Sequence, residues 1–244
     1  IVFTIPVALA ILREEDRKYL ATGVLAGMIT IPIGSLAGGL AAGYSIVMVL
    51  RNLIPIIIFA VLIALGLWKF ENAMVKGFTY FGKFVVAVIT LGLGVGIIEQ
   101  LTGIVLIPGM NPIREGFEVV ADIAIVLAGA FPLVYVITKV FKKPLMGLGK
   151  VLGMNEVAAA GLVASLANSI PMFGMMKDMD DRGKVLNVAF AVSAAFVFGD
   201  HLGFTAGFNQ DMIFPMIVGK LVGGITAVFA ALLLVRNKSV SKEA

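Results

Sequence analysis

Long apolar runs separated by short clusters of charged residues make up most of this sequence. The runs at residues 53–68, 84–98 and 212–235 are almost free of charge. A helix needs about 20 mostly apolar residues to cross the hydrocarbon layer of a bilayer. The pattern therefore predicts an all-α, polytopic helical membrane protein with about six to eight membrane segments.

The charged clusters set the expected domain organisation. The most basic cluster, at residues 139–150, is expected on the cytoplasmic side, because Lys and Arg accumulate in cytoplasmic loops. Residues 1–236 are predicted to form one transmembrane domain, and residues 237–244 a polar tail. Residue 1 lies inside an apolar run, so we expect this domain to be N-terminally truncated relative to a longer protein.

Two apolar segments contain an Ile-Pro step close to polar side chains. The first, residues 21–34, reads ATGVLAGMITIPIG, and the second, residues 160–174, reads AGLVASLANSIPMFG. A proline inside a helix removes one backbone hydrogen bond, and glycine weakens the helix further. We therefore predict two broken, Pro/Gly-interrupted helices, which in many transporters form the substrate site.

A charge-bearing stretch follows each predicted break. It reads LRNLIP at residues 50–55 and FGDHLGF at residues 198–204. This arrangement predicts a weak internal repeat, which many transporter folds have. The first copy carries Arg51 where the second carries Asp200, so only the second copy supplies an anion.

Asp200 and His201 are the first candidates for binding a ligand. They lie about 16 residues into the helix predicted after Lys184, which places them well inside the membrane at about 1.5 Å per residue. An ionisable pair at that depth usually faces a cavity or a partner. Either the carboxylate meets a cationic substrate beside a hydrogen-bonding imidazole, or the pair ties two helices together.

Polar groups at the two predicted breaks also have two interpretations. Asn168 and Ser169 either bind a hydroxyl or ammonium group, or satisfy the carbonyl groups that Pro171 leaves free. Thr30 and Ser35 have the same two interpretations in the first segment, where the structural one is favoured.

Aromatic side chains flank Asp200 in the sequence. Phe198 and Phe204 are most simply explained by helix packing, but a cation bound at Asp200 would also gain from the face of a ring. Together these interpretations give the candidate substrate-binding set: Asp200, His201, Asn168, Ser169, Thr30, Phe198 and Phe204.

Composition supports the membrane assignment and narrows the chemistry. Hydrophobic residues make up 60% of the chain and charged residues 14%, with a mean hydropathy of +1.05. So few charges cannot cover the apolar surface of a soluble domain of 244 residues. The net charge of +4 lies in loop clusters and does not indicate a nucleic-acid partner. With no cysteine and one histidine, we predict neither a metal site nor a cofactor.

Ser169 and His201 allow one enzymatic hypothesis, an intramembrane serine hydrolase. No GxSxG motif surrounds Ser169, and Pro171 explains the local break without catalysis. The residues therefore favour a transporter over an enzyme. A non-catalytic membrane scaffold, in which buried polar groups only hold helices together, is the third alternative.

The run at residues 168–208 resembles the ethanolamine-utilisation permease family, EutH; it reads NSIPMFGMMKDMDDRGKVLNVAFAVSAAFVFGDHLGFTAGF. The preceding EVAAAGLVASLA and the upstream TIPIGSLAGG fit the same family, so the resemblance covers the whole chain. Members of this family are longer at the N-terminus.

The resemblance implies a multi-pass transporter that takes up ethanolamine across the inner (plasma) membrane of a bacterium. Ethanolamine is mostly protonated at neutral pH, by analogy with a lysine amine, and carries one hydroxyl. Asp200, as a buried carboxylate, would neutralise the ammonium beside a Phe ring, and Asn168 or Ser169 at the broken helix, or His201, would pair the hydroxyl. Another small cationic or amino-acid-like solute is the alternative substrate, and a homo-oligomer in the lipid bilayer is left open.

Overall fold

The structure is a computed structural model that describes residue 8, residues 11–140 and residues 142–240. These residues form helices and turns, with no strand among them. The apolar run that contains residue 1 lies mostly outside the described residues. The helices are α1 (Arg17–Ala41), α2 (Ile46–Thr102), α3 (Ile113–Val140), α4 (Lys142–Leu152), α5 (Glu156–Ala167), α6 (Ser169–Met175), α7 (Asp181–Ala194), α8 (Asp200–Phe208) and α9 (Ile213–Val240).

The long apolar helices confirm the predicted class, a polytopic helical membrane protein. Within the described part of the chain, four stretches are long and apolar enough to cross a membrane, against about six to eight predicted. They are Glu14–Ala41, Ile46–Ile63, Tyr80–Thr102 and Gln210–Val235. Tyr80–Thr102 contains the apolar run at residues 84–98, and Gln210–Val235 contains the run at residues 212–235. Ile46–Ile63 contains most of the run at residues 53–68.

Helix α2 is bent back on itself at Phe70, where φ is −136° and ψ is 45°. A β-carbon added at Gly66 would lie 2.7 Å from the sulfur of Met74, a contact that an unbent helix would not allow. A cavity of about 530 Å³ lies between the two halves, lined by apolar side chains of both. At Phe70 the backbone leaves the helical conformation, so α2 consists of two helical halves that run in different directions.

Helices α1, α7 and α9 pack together and form the core of the described chain. Small residues allow this close approach: Gly27 of α1 faces Val192 of α7, and Gly34 faces the backbone of Gly219 and Gly223 in α9. In lipid, where apolar side chains gain little by leaving the solvent, such glycine contacts are a main source of helix association.

The first predicted break does not occur. Helix α1 runs without interruption through residues 21–34, with Pro32 inside it. Only the hydrogen bond from residue 32 to the carbonyl of Met28 is lost, and the packing of α1 on α7 and α9 compensates for it. The stretch at residues 50–55 is likewise helical, so the internal repeat predicted from the two segments is not found in the described residues.

An ion pair joins the start of α1 to the start of α7. Lys184 Nζ lies 2.6 Å from Asp16 Oδ1, and the side chains are 11% and 2% exposed. Burial alone would lower the pKa of Lys184, but the hydrogen bond and the negative charge of Asp16 raise it above its ordinary value. Lys184 also lies 5.0 Å from the centre of the Tyr19 ring. The pair therefore fixes one end of the three-helix core.

Candidate functional site

The second predicted break is present, and it falls at Asn168. Helix α5 ends at Ala167, and Asn168 is extended, with φ −157° and ψ 135°. Its Oδ1 accepts a hydrogen bond from the Ile170 N–H at 2.8 Å and so caps α6. Pro171 and Gly174 were expected to cause the break, but both lie inside α6. Pro171 is the third residue of α6, where a missing N–H costs little.

Another break, between α7 and α8, occupies residues 195–199. Phe196 has a φ of +63°, in the left-handed region that bulky residues rarely adopt. An uninterrupted helix over residues 185–208 was predicted, and that prediction is wrong. No proline marks this break. It lies instead in contact with the break at Asn168. A β-carbon at Gly199 would overlap the carbonyl oxygen of Ala167, so only glycine allows the two segments to meet.

Backbone hydrogen bonds join the two breaks. The Phe196 N–H donates to the Ser165 carbonyl at 3.0 Å, and the Phe198 N–H donates to the Leu166 carbonyl at 2.9 Å. In an unbroken helix these two carbonyls would accept from residues 169 and 170. The second break thus supplies donors for two carbonyls that the first leaves free, as non-helical backbone inside a membrane requires. We call this pair of segments, residues 165–169 and 195–201, the crossing.

Asp200 and His201 are the first two residues of α8 and the last two of the crossing. They were expected in the middle of a helix; the break at 195–199 moves them to a helix start, where a carboxylate is favoured by the helix dipole. Asp200 is exposed, so the predicted buried carboxylate is not observed among the described residues. The His201 ring lies 5.4 Å from the ring of Phe196, tilted by 52°.

Three other candidate residues, Asn168, Ser169 and Phe198, lie in the crossing. Ser169 is buried and Asn168 half-buried in the first segment, and Phe198 is half-buried in the second. The contact between Gly199 and Ala167 brings the segments that carry these residues together with Asp200 and His201.

Phe204 and Thr30 are placed differently. Phe204 is 55% exposed and stacks on Phe208, with ring centres 5.9 Å apart. Thr30 is buried between α1 and α9, and its hydroxyl donates to the carbonyls of Gly27 and Gly223 at 2.9 and 3.2 Å. This supports the structural interpretation of Thr30, because its hydrogen bond to Gly223 joins α1 to α9.

Two features of the region were not predicted from the sequence. Phe196 gave no signal, because nothing in its neighbourhood marks a left-handed conformation. Lys220 did give one, since it interrupts the apolar run of α9, but no partner could be named for it. It lines a cavity between α1, α7 and α9.

Comparison with known proteins agrees with the architecture. The family described as "Ethanolamine utilisation protein, EutH" matches residues 1–234. The chain is 72% identical over 228 residues to the probable ethanolamine permease EutH of Listeria monocytogenes, covering 93% of this chain and 61% of that protein. It is 55% identical to the probable ethanolamine permease EutH of Escherichia coli K12, covering 96% of this chain and 63% of that protein.

A protein of Bacillus subtilis, named only as uncharacterized protein YxeR, is 54% identical, with 95% of this chain and 62% of that protein covered. The chain therefore spans a little over three-fifths of the length of the curated relatives it matches. No solved structure matches it. On the match over residues 1–234 and these identities, the chain belongs to the EutH family of ethanolamine utilisation proteins.

Proposed function

We propose that this chain carries the substrate site of a permease that takes up ethanolamine across the bacterial inner membrane. The observation that carries the proposal is the crossing, in which the second interrupted helix donates two backbone hydrogen bonds, of 3.0 and 2.9 Å, to carbonyls of the first. Discontinuous helices meeting in this way form the binding sites of many secondary transporters. The names of the relatives supply the substrate, since two are called probable ethanolamine permeases.

The charge on ethanolamine is assigned to Asp200. At neutral pH the substrate is an ammonium ion, and Asp200 is the one acid within the residues that define the crossing. Two opposite charges about 4 Å apart attract by about 4 kcal/mol near a protein surface, at an effective dielectric constant of about 20. Phe198 lies two residues before Asp200, and its ring is assigned to the same cation.

The hydroxyl of ethanolamine is assigned to the polar groups at the break after α5. The amide of Asn168 has an NH₂ group besides the oxygen that caps α6, and that group can donate to the substrate oxygen. The Ser169 hydroxyl and the His201 imidazole are the alternative partners. Thr30 is left out of the proposed site, because its hydroxyl is used between α1 and α9.

The proposal is tested by uptake of radiolabelled ethanolamine into proteoliposomes that contain the full-length protein. Asp200→Asn is expected to abolish uptake, because the side chain keeps its size and loses its charge. Asp211→Asn is the matched control: Asp211 is also exposed, lies eleven residues further on and is outside the crossing. Equal uptake by wild type and Asp200→Asn would contradict the assignment.

The hydrolase hypothesis makes a different prediction. It requires Ser169 to be accessible and activated, whereas Ser169 is only 3% exposed. The neighbouring Asn168 caps α6 and so stabilises the break. Labelling of Ser169 by a fluorophosphonate would favour the enzyme. We expect none, because a serine that is 3% exposed is hardly accessible to the reagent. A scaffold predicts that Asp200→Asn impairs insertion or assembly, which gel filtration of the purified variant measures.

A further inference from the structure

A cavity lined by residues outside the crossing lies between α1, α7 and α9. Its volume is about 460 Å³. Ser35 of α1, Ser193 of α7 and Lys220 of α9 line it, together with the exposed Tyr44. The remaining lining is mostly glycine and aliphatic side chains. The proposed function uses none of these residues.

Lys220 lies deep in its helix. The membrane stretch of α9 is Gln210–Val235, and Lys220 is ten residues from its start, or about 15 Å along the axis. A lysine side chain cannot easily reach the bilayer surface from there. An intramembrane lysine usually has a charged partner or faces a cavity that holds one.

Charge complementarity identifies the kind of ligand. Among the described residues that line this cavity, Lys220 is the only charged one and none is acidic. A cationic ligand such as the ethanolammonium ion would be repelled by Lys220, whereas an anion would be attracted. Its depth, about 15 Å into the span, argues against a lipid headgroup, which lies at the membrane surface.

The rest of the lining indicates an organic anion. The volume exceeds what a halide ion needs, and Ile31, Val192 and Met216 provide an apolar wall for carbon atoms. We propose that this cavity binds a small organic carboxylate, with Lys220 pairing the carboxylate oxygens and the hydroxyls of Ser35 and Ser193 donating to them. Such a ligand would contact residues that the proposed ethanolamine site does not use.

The test uses the purified full-length protein and sodium butyrate as the probe. Saturation-transfer NMR at constant ionic strength measures butyrate binding, with sodium chloride as a competitor. We expect saturable binding in the millimolar range that Lys220→Gln weakens about tenfold or more, the usual size of a lost charge-assisted hydrogen bond. Lys220→Arg should retain binding. The control Lys150→Gln removes an exposed lysine at the end of α4 and should change nothing.

Butyrate binding by Lys220→Gln that equals the wild type would overturn the proposal, as would no saturable binding by the wild type. Displacement by chloride at equal concentration would show an inorganic anion site and also overturn the organic ligand. If Lys220→Gln does not elute as a single species, Ser193→Ala replaces it and is expected to weaken binding about fivefold. Because butyrate binding is measured directly, these outcomes do not depend on ethanolamine transport.

Discussion

The two Ile-Pro segments of this chain look alike in sequence and differ in structure. In α1, Pro32 sits inside a helix of 25 residues that continues to Ala41. In the second segment the chain breaks at Asn168, three residues before Pro171. One proline is thus tolerated in the middle of a helix, and the other stands in the first turn of a new one.

The difference lies in what the surrounding backbone offers. Pro32 leaves one carbonyl without its helical donor, and α1 remains packed on α7 and α9 through glycine contacts. The break at Asn168 frees more groups, but Phe196 and Phe198 donate to two of the freed carbonyls. A broken helix is stable in a membrane where another broken segment completes its hydrogen bonds. Proline alone does not determine which helix breaks.

The largest effect is expected from Gly199→Ala, which attacks the crossing directly. The new β-carbon would overlap the Ala167 carbonyl, and backbone cannot move aside as a flexible side chain can. We expect a loss of about 3 kcal/mol in the free energy of unfolding and loss of ethanolamine uptake. Thermal unfolding of the purified protein measures the first. The control Gly174→Ala, in a position with open space around it, should be neutral in both assays.

Gly34→Ala tests the unbroken segment and is expected to have the next largest effect. Its β-carbon would lie 2.6 Å from the Gly219 carbonyl oxygen and 2.9 Å from Gly223 Cα. Pushing α1 and α9 apart should lower stability by about 1–2 kcal/mol, partly offset by the better helix propensity of alanine. Gly92→Ala has no neighbour within 4 Å and serves as the control. Equal melting temperatures for both variants would refute the close helix contact.

Asn168→Ala removes the cap of α6 and should cost about 1 kcal/mol. Asn168→Asp keeps an oxygen that accepts from the Ile170 N–H and should restore most of the stability. Thermal unfolding separates the two variants. If alanine and aspartate behave alike, the cap does not stabilise the break.

The smallest effects are expected from the two prolines, and they sharpen the comparison. Pro171→Ala should change stability by less than about 0.5 kcal/mol, because the third position of a helix needs no intrahelical N–H bond. Pro32→Ala restores a donor for the Met28 carbonyl and should stabilise by up to about 1 kcal/mol. A large loss of stability from Pro171→Ala would show that this proline, and not Asn168, makes the break.

Sequence patterns predicted the class of protein and most helices, because apolar length is a strong signal in lipid. They predicted the break after α5, since Asn168 and Pro171 are both local signals. They missed the break at 195–199, because Gly199 looks like any other glycine until Ala167 is placed against it. They also predicted a break at Pro32 that packing prevents.

The sequence likewise predicted only part of the candidate site. The stretches carrying Asn168, Ser169, Phe198, Asp200 and His201 do meet, although the reason for their meeting is a backbone contact that no residue pattern encodes. Thr30 was included because it lies near a proline, and the structure shows its hydroxyl bound between helices. Contacts between segments that are distant in sequence determine whether such a residue belongs to the site.

The central claim is that ethanolamine binds at the crossing through Asp200. The most direct measurement is equilibrium binding of radiolabelled ethanolamine to the purified full-length protein, comparing wild type with Asp200→Asn and Asp211→Asn. We predict that Asp200→Asn weakens binding at least about tenfold, the usual size of a lost charge-assisted contact, while Asp211→Asn binds like the wild type. Undiminished binding by a folded Asp200→Asn variant would contradict the claim.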